Sequence, residues 1–127
     1  MSTKSKNIPC LITIFGATGD LSHRKLFPSI FHLYQQDNLD EHIAIIGIGR
    51  RDYTNDEFRN QVKASIQKHV KDTDKIDDFM EHVFYHKTDV SDEESYKSLL
   101  QFSSQLDSQF GLVGNRLFYL AMAPQFF

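Results

Sequence analysis

The chain has few cysteines, which cross-link a fold, few prolines, which interrupt helices, and no long hydrophobic run. Its 127 residues include one cysteine, three prolines and no tryptophan. A single cysteine, Cys10, excludes an internal disulfide and is more typical of a small buried apolar side chain than of a catalytic thiol. No apolar run approaches the ~18 residues of a membrane span. We therefore expect a cytoplasmic globular protein with one modest core and no membrane contact.

The chain also lacks a large excess of positive or negative charge. The formal net charge is −3, and Lys and Arg are scattered along the chain without forming a basic patch. Proteins that bind nucleic acid concentrate positive charge on one face, so nucleic acid is not an expected partner. Six histidines are present, but only His82 and His86 have a spacing suggestive of metal ligands. No third ligand lies near them in the sequence, so no metal site is expected.

Four apolar segments alternate with helical patterns. After a polar lead-in over residues 1–9, strands are predicted over residues 10–15, 43–48, 83–86 and 116–122. The order β-α-β-α(α)-β-α-β favours an α/β fold with a doubly wound parallel sheet, in the manner of a Rossmann domain. The sheet centre is predicted to contain Ile12, Ile14, Ile45, Ile46, Phe118 and Leu120.

Capping residues and proline predict where the helices begin. Pro28 is tolerated only in a first turn, so the first regular helix should begin near Arg24 or Lys25, after a lead-in turn over residues 20–23. Thr54 and Glu57 have capping-box spacing, as do Ser91 and Glu94. The inner side of the last helix, which Gly111 should end, is predicted to carry Tyr96, Leu99, Leu100, Ser103, Leu106 and Phe110.

A glycine-punctuated turn follows the first strand directly. Gly16, Gly19 and Ser22 form a G-x-x-G-x-x-small variant of the dinucleotide fingerprint, between a strand and a helix. The glycines let the backbone approach a ligand, and a helix that follows would aim N–H groups at an anion. The turn therefore predicts a cradle for two or more phosphates, although an ordinary strand-to-helix turn is the alternative.

Two arginines follow the second strand, where open parallel sheets bind the ribose of a dinucleotide. NAD sites usually have an acid at this point, whereas NADP sites favour an Arg that pairs with the 2′-phosphate. Arg50 and Arg51 favour NADP, and Asp52 argues against it. A solvated basic turn is the alternative.

The ends of the third and fourth strands offer further candidate contacts. Asp89 and Val90 could meet the adenine edge, or Asp89 could simply form a turn. After the fourth strand, small residues and a proline occur where the pyrophosphate or nicotinamide ribose would lie; they are Ala121, Met122, Ala123 and Pro124. The alternative is that the proline only ends the strand. His23 and Lys25 lie beside the glycine turn and could meet a ligand or be solvated.

With these residues in view, the chain closely resembles the amino-terminal part of glucose-6-phosphate dehydrogenase. The resemblance rests on the signature over residues 16–28, GATGDLSHRKLFP, and continues through residues 45–50, 89–96 and 114–124. It covers nearly the whole chain. It implies an incomplete NADP-binding Rossmann domain over residues 10–127, with an α+β substrate domain to follow.

The resemblance also implies an activity and site roles. The activity is oxidation of glucose 6-phosphate at C1 to the lactone, with NADP as hydride acceptor, at the entry to the pentose phosphate pathway. The implied pyrophosphate site is Gly16, Ala17, Thr18, Gly19, Asp20 and Leu21. Arg50 would take the 2′-phosphate, and Lys25 would lie towards substrate and nicotinamide. Arg51 leaves NAD use open because some members use both, and the full-length enzyme is expected to be a homo-oligomer.

No catalytic residue is expected within these 127 residues. The family's substrate segment, with the histidine that accepts the C1 hydroxyl proton, does not occur in the sequence, and hydride transfer from a sugar needs such a base. A short-chain dehydrogenase is disfavoured because no tyrosine has a lysine four residues later. A non-enzymatic NADP-binding sensor module is the remaining alternative.

Overall fold

Four parallel strands and four α-helices make up the part of the chain that the structure describes. The computed structural model describes residues 9–19, 22–36, 43–89, 91–112 and 115–120. In chain order the elements are β1 (Cys10–Phe15), a π-helical turn (Ser22–Leu26), α1 (Phe27–Gln35), β2 (Ile43–Gly49), α2 (Asn55–His69), α3 (Ile76–Met80), β3 (Val83–Lys87), α4 (Glu93–Phe110) and β4 (Arg116–Leu120). The predicted order of strands and helices is confirmed.

The strands lie in the order β3-β2-β1-β4, and every neighbouring pair is parallel. Because parallel strands end at the same edge, the segments that follow β1, β2 and β3 are brought together at one side of the sheet. The parallel, Rossmann-like sheet predicted from the sequence is confirmed.

Helices cover both faces of the sheet, and each face has its own core. On one face, α1, α2 and α3 bury a cluster that includes Phe27, Phe31, Phe58 and Phe79. On the other face, α4 packs with Leu99 and Leu106 against apolar residues of β1, β2 and β3; the strand residues of that cluster are Leu11, Ala44, Ile46, Ile48 and Phe84. Burial on both faces explains why β2 is a continuous apolar run.

The position of β4 corrects one prediction about the sheet centre. Ile12, Ile14, Ile45 and Ile46 are buried as predicted, but the side chain of Phe118 is 58% exposed. β4 lies at the end of the strand order beside β1, and α4 contacts β1 and β2, so Phe118 is left without a covering layer among the described residues. The side chain of Leu120 lies outside the described residues.

The first helix begins later than predicted. Residues Ser22–Leu26 form a π-helical turn, and the regular helix starts at Phe27 rather than near Arg24. Pro28 supplies the reason, because its ring would clash with the carbonyl of the residue four positions earlier in a regular α-helix. The wider turn therefore takes the place of the first α-helical turn.

The second predicted capping box is wrong, whereas the first is confirmed. Thr54 and Glu57 make both reciprocal bonds at the start of α2. At α4 the N-cap is Asp92, and Ser91 lies one residue further out. Its amide and hydroxyl both donate to the Asp89 carboxylate, at 3.0 and 2.6 Å, so Ser91 serves a turn instead.

Fewer residues of α4 are buried against the sheet than predicted. Leu99, Ser103 and Leu106 are buried, and Phe110 is partly buried. Tyr96 and Leu100 are 43% and 51% exposed, which contradicts the prediction. The side of α4 that faces the sheet includes Phe102, whose ring packs on Phe84, and Leu100 lies on the other side of the helix. Tyr96 lies in the first turn of the helix. No described helix is long and apolar enough to cross a membrane.

Candidate functional site

The turn after β1 is held by short backbone contacts to β2 and within itself. Gly16 has a φ of 79°, a left-handed conformation that glycine adopts without a steric penalty. The Ala17 amide donates to the carbonyl of Ile48 at 3.1 Å, and the Gly19 amide donates to the carbonyl of Gly16 at 3.1 Å. The turn therefore lies at the carboxyl end of β1, tied to its neighbouring strand.

Ser22 fastens the turn from the other side. Its side chain is fully buried, and its hydroxyl donates to the Gly16 carbonyl at 3.0 Å. That carbonyl thus accepts from both Gly19 and Ser22. The sequence pattern indicates only a small residue at Ser22, because the spacing shows the size required but not the buried hydrogen bond.

Two glycines of β2 let the turn pack directly on this strand. A Cβ on Gly47 would stand 2.9 Å from the Ala17 Cβ and 2.4 Å from a ring carbon of Phe58. A Cβ on Gly49 would stand 3.2 Å from the Thr18 Cγ2 and 2.8 Å from the Tyr85 hydroxyl oxygen. Side chains at these two positions would push the turn away from β2.

The arginines predicted to bind phosphate follow β2 at the same edge. Arg50 and Arg51 are both exposed. The hydroxyl of Tyr85, on β3, donates to the Arg51 carbonyl at 2.7 Å and so holds the backbone between the two strands. Tyr85 was missed in the sequence because a buried aromatic on a strand reads as ordinary core.

Charges and burial shift several pKa values at this edge. Burial, together with the nearby Tyr53 and Asp52, raises the pKa of Tyr85 to about 12. Hydrogen bonds from the side chain and amide of Ser91 lower the pKa of the Asp89 carboxyl. Asp89 is therefore an ionised turn residue whose carboxylate is engaged by the protein. Burial also lowers the pKa of His86, whose ring stacks on Phe102.

Lys25 and His23, both in the π-helical turn, differ in placement. Lys25 is exposed. The His23 ring packs between α1 and α2, with centroids 5.8 Å from Phe27 and 6.3 Å from Phe58, and its Nδ1 lies 3.1 Å from the Ser65 hydroxyl. His23 is thus turned towards the core, whereas Arg24 and Lys25, the other two cations of this turn, are both exposed.

The other candidate histidines are also engaged by the protein. The Nδ1 of His82 lies 2.6 Å from the carbonyl of Ile43, and the His86 ring nitrogens contact Thr88 and Ser98. Across the residues that the structure describes, no group of three or more His, Cys, Asp and Glu side chains could hold a metal ion.

Seven candidate site residues lie outside the described residues. They are Asp20, Leu21, Val90, Ala121, Met122, Ala123 and Pro124. The structure does bring together Gly16, Ala17, Thr18 and Gly19 with Arg50 and Asp89, at the carboxyl edge of the sheet.

A parallel sheet with a glycine turn after its first strand, covered by helices on both faces, defines a Rossmann-type dinucleotide-binding domain. The chain belongs to the family described as glucose-6-phosphate dehydrogenase, NAD binding domain, whose model matches residues 13–127. The resemblance seen in the sequence is therefore confirmed.

Relatives agree with this family assignment. The chain is 48% identical over 118 residues to glucose-6-phosphate 1-dehydrogenase of Bacillus subtilis, covering 92% of this chain and 24% of that protein. Identity to the Leuconostoc mesenteroides enzyme is 42% over 120 residues, covering 94% of this chain and 25% of that protein. The chain thus spans about a quarter of the length of these relatives.

A solved structure shows the same fold. A glucose-6-phosphate dehydrogenase in complex with its substrate glucose-6-phosphate superimposes with a TM-score of 0.83 at 33% identity, covering 95% of this chain and 26% of that one. The enzyme from Mycobacterium avium superimposes with a TM-score of 0.76 at 27% identity, covering 94% and 25%.

Proposed function

We propose that this chain is the NADP-binding part of a glucose-6-phosphate 1-dehydrogenase that oxidises glucose 6-phosphate at C1 to 6-phosphogluconolactone. The proposal rests on family membership and, for the cofactor, on Arg50 and Arg51 following β2 at the edge that carries the glycine turn. The domain would extend over residues 10–127. The cytoplasm and a homo-oligomer are the proposed location and assembly.

The turn after β1 suits the pyrophosphate of a dinucleotide. Gly16 and Gly19 carry no side chain to obstruct a ligand, and Gly47 and Gly49 allow the turn to lie close against β2. The Ala17 and Gly19 amides already donate within the protein. We propose that the whole segment lines the pyrophosphate, that is Gly16, Ala17, Thr18, Gly19, Asp20 and Leu21, and that direct contacts come from Thr18, Asp20 and Leu21.

Arg50 is proposed to bind the adenosine 2′-phosphate. A guanidinium matches two phosphate oxygens in forked geometry, whereas NAD has only a hydroxyl there. Arg51 can add a second positive charge, and NAD would still bind through the shared pyrophosphate. Asp89 and Val90 are proposed to contact the adenine. The Asp89 carboxylate is held by Ser91, its amide donates to Ser95 and its carbonyl accepts from Asp92, so we assign the larger share of this contact to Val90.

The remaining assignments concern the reacting end of the cofactor. The exposed Lys25 is proposed to lie towards substrate and nicotinamide, and Ala121, Met122 and Pro124 to pass along the nicotinamide ribose. The cofactor, when bound, supplies the hydride acceptor. Removal of the C1 hydroxyl proton needs a general base within hydrogen-bond reach, which we place outside these 127 residues.

The test compares Arg50→Ala with the unchanged protein, as the source organism makes it, in titrations with NADP and NAD. Loss of a charge-assisted interaction should cost about 1.5–3 kcal/mol of NADP affinity and leave NAD nearly unchanged. Lys68→Ala is the control, because Lys68 is also an exposed cation but lies in the last turn of α2. Equal losses for both cofactors would refute the role of Arg50.

A turnover assay with glucose 6-phosphate and NADP distinguishes the proposed dehydrogenase from a non-enzymatic NADP-binding sensor. The unchanged protein should reduce NADP when glucose 6-phosphate is added. Tight NADP binding without such reduction would overturn the proposed activity and favour a non-enzymatic NADP-binding module.

A further inference from the structure

An ion pair crosses from β3 to the segment after β2, next to the arginines. The Nζ of Lys87 lies 2.8 Å from the Oδ1 of Asp52. Lys87 is the last residue of β3 and is in register with Gly49, the last residue of β2. The pair therefore lies at the carboxyl edge of the sheet, and its Asp52 follows Arg50 by two positions in the chain.

Asp52 presents an electrostatic difficulty for an NADP site. A carboxylate beside a dianionic phosphate is repulsive, and an acid after the second strand is the usual feature of sites that bind the ribose hydroxyls of NAD. Left unpaired, Asp52 would oppose the two arginines. Lys87 offsets part of that opposition by pairing its positive charge with this carboxylate.

The second carboxylate of this edge is also engaged. The Oδ1 of Asp89 accepts from both the amide and the hydroxyl of Ser91, just before the start of α4. Both acids near the arginines are thus bound by groups of the protein itself. Asp52 is the one that forms an ion pair with a lysine, whereas the charge of Arg50 adds to the bonds from Ser91 in lowering the pKa of Asp89.

We propose that Lys87 is a specificity-determining residue that favours NADP over NAD by pairing with Asp52. This inference rests on the proposed binding of NADP at the β2 edge. Lys87 acts through Asp52 and not as a ligand of the phosphate. Its side chain and that of Asp52 are 57% and 85% exposed, so solvent weakens the pair and the effect is modest.

The experiment uses Lys87→Met, Asp52→Asn and the double variant in the protein as it is naturally produced. Methionine keeps the length of the side chain and removes its charge. Lys87→Met should weaken NADP binding about threefold, the scale of an exposed charge pair, and leave NAD binding unchanged. In the Asp52→Asn background the same change should have no effect, because the carboxylate it exposes is gone.

Lys63→Met is the matched control. Lys63 pairs with Asp77 at the same 2.8 Å, but this pair joins α2 to α3 and lies away from the arginines. Its loss should leave the ratio of the two affinities unchanged. Raising the salt concentration should shrink the effect of Lys87→Met, because salt screens exposed charges.

The outcomes separate the pair from the proposed function. An unchanged NADP-to-NAD ratio in Lys87→Met, or a loss that persists in the Asp52→Asn background, overturns the inference. If Arg50→Ala abolishes NADP preference while Lys87→Met does not alter it, only the role of Lys87 fails. If Lys87→Met shifts the ratio and Arg50→Ala does not, the pair stands and the assignment of Arg50 fails.

Discussion

The Tyr85 hydroxyl donates to the Arg51 carbonyl at 2.7 Å, and its oxygen lies 2.8 Å from the position that a Cβ on Gly49 would take. One side chain of β3 therefore fixes the backbone that carries the arginines and fills the space beside Gly49. The candidate cofactor site depends on this close approach of two neighbouring strands.

Gly49→Ala should disturb both stability and cofactor binding. The new methyl group would meet the Tyr85 hydroxyl and Thr18, so either Tyr85 or the glycine turn must move. Overpacking of this kind costs about 1–3 kcal/mol of unfolding free energy. Thermal unfolding and NADP titration measure the two effects.

Gly111→Ala is the control for that substitution. Gly111 ends α4 with a φ of 66°, so alanine there is strained and should lower stability by about 1 kcal/mol. It lies away from the cofactor edge, and NADP affinity should not change. A loss of NADP affinity in Gly111→Ala as large as in Gly49→Ala would show that binding follows stability alone.

Tyr85→Phe should change how stability depends on high pH. Folding holds the Tyr85 proton up to a pKa of about 12, whereas a tyrosine in the unfolded chain loses its proton near pH 10. The stability that this proton provides is complete below about pH 10 and is lost as the pH rises towards 12.

Denaturant unfolding between these pH values measures that loss. It should be on the order of 1–3 kcal/mol in the unchanged protein and smaller in Tyr85→Phe. At neutral pH the variant should lose about 1 kcal/mol, for the hydrogen bond to Arg51. Identical pH profiles for the two proteins would contradict the assignment of the raised pKa to Tyr85.

Ser22→Ala should weaken cofactor binding through the glycine turn. The buried hydroxyl is one of two donors to the Gly16 carbonyl, and its loss should cost about 1 kcal/mol of stability. Ser103→Ala is the matched control, since Ser103 is also buried and donates to a backbone carbonyl, that of Leu99, within α4. We expect NADP affinity to fall in Ser22→Ala and to stay constant in Ser103→Ala.

Two helix starts offer a paired test of capping. Thr54→Ala removes a side chain that accepts from the Glu57 amide at 3.0 Å, and should lower stability by about 1 kcal/mol. Asp92 makes no side-chain capping bond at α4, so Asp92→Ala should cost clearly less. Thermal unfolding compares the two, and equal losses would contradict the difference seen in the caps.

Local sequence patterns predicted the fold well because strands, helix caps and tight turns depend on residues that are close together in the sequence. The apolar run of β2, the Thr54 capping box and the glycines after β1 each act within a few residues, and each is found where the sequence placed it. Ser91 had the same spacing as Thr54, yet its hydroxyl bonds to Asp89. Spacing alone does not show which of two nearby acceptors or donors a serine will meet.

Predictions that depend on contacts between elements were less complete. Phe118 was placed in the sheet centre because strands alternate with helices, but burial depends on which strands lie on either side. The partners of the candidate site were missed for a similar reason. Lys87 meets Asp52, and Tyr85 meets Arg51, only after β3 pairs with β2.

The order of the strands has a consequence for synthesis. The side-chain Nδ2 of Asn115 donates to the carbonyl of Pro9, 106 residues earlier, and β4 pairs with β1 on the side away from β2. At ~5–20 residues per second, a ribosome makes β1 roughly 5–20 s before β4. Throughout that interval one edge of β1 has no strand beside it, even after β2 and β3 have been made, because β2 pairs with the other edge. The nascent chain thus carries an open, apolar strand edge for seconds, the type of surface on which chaperones act and from which aggregation begins.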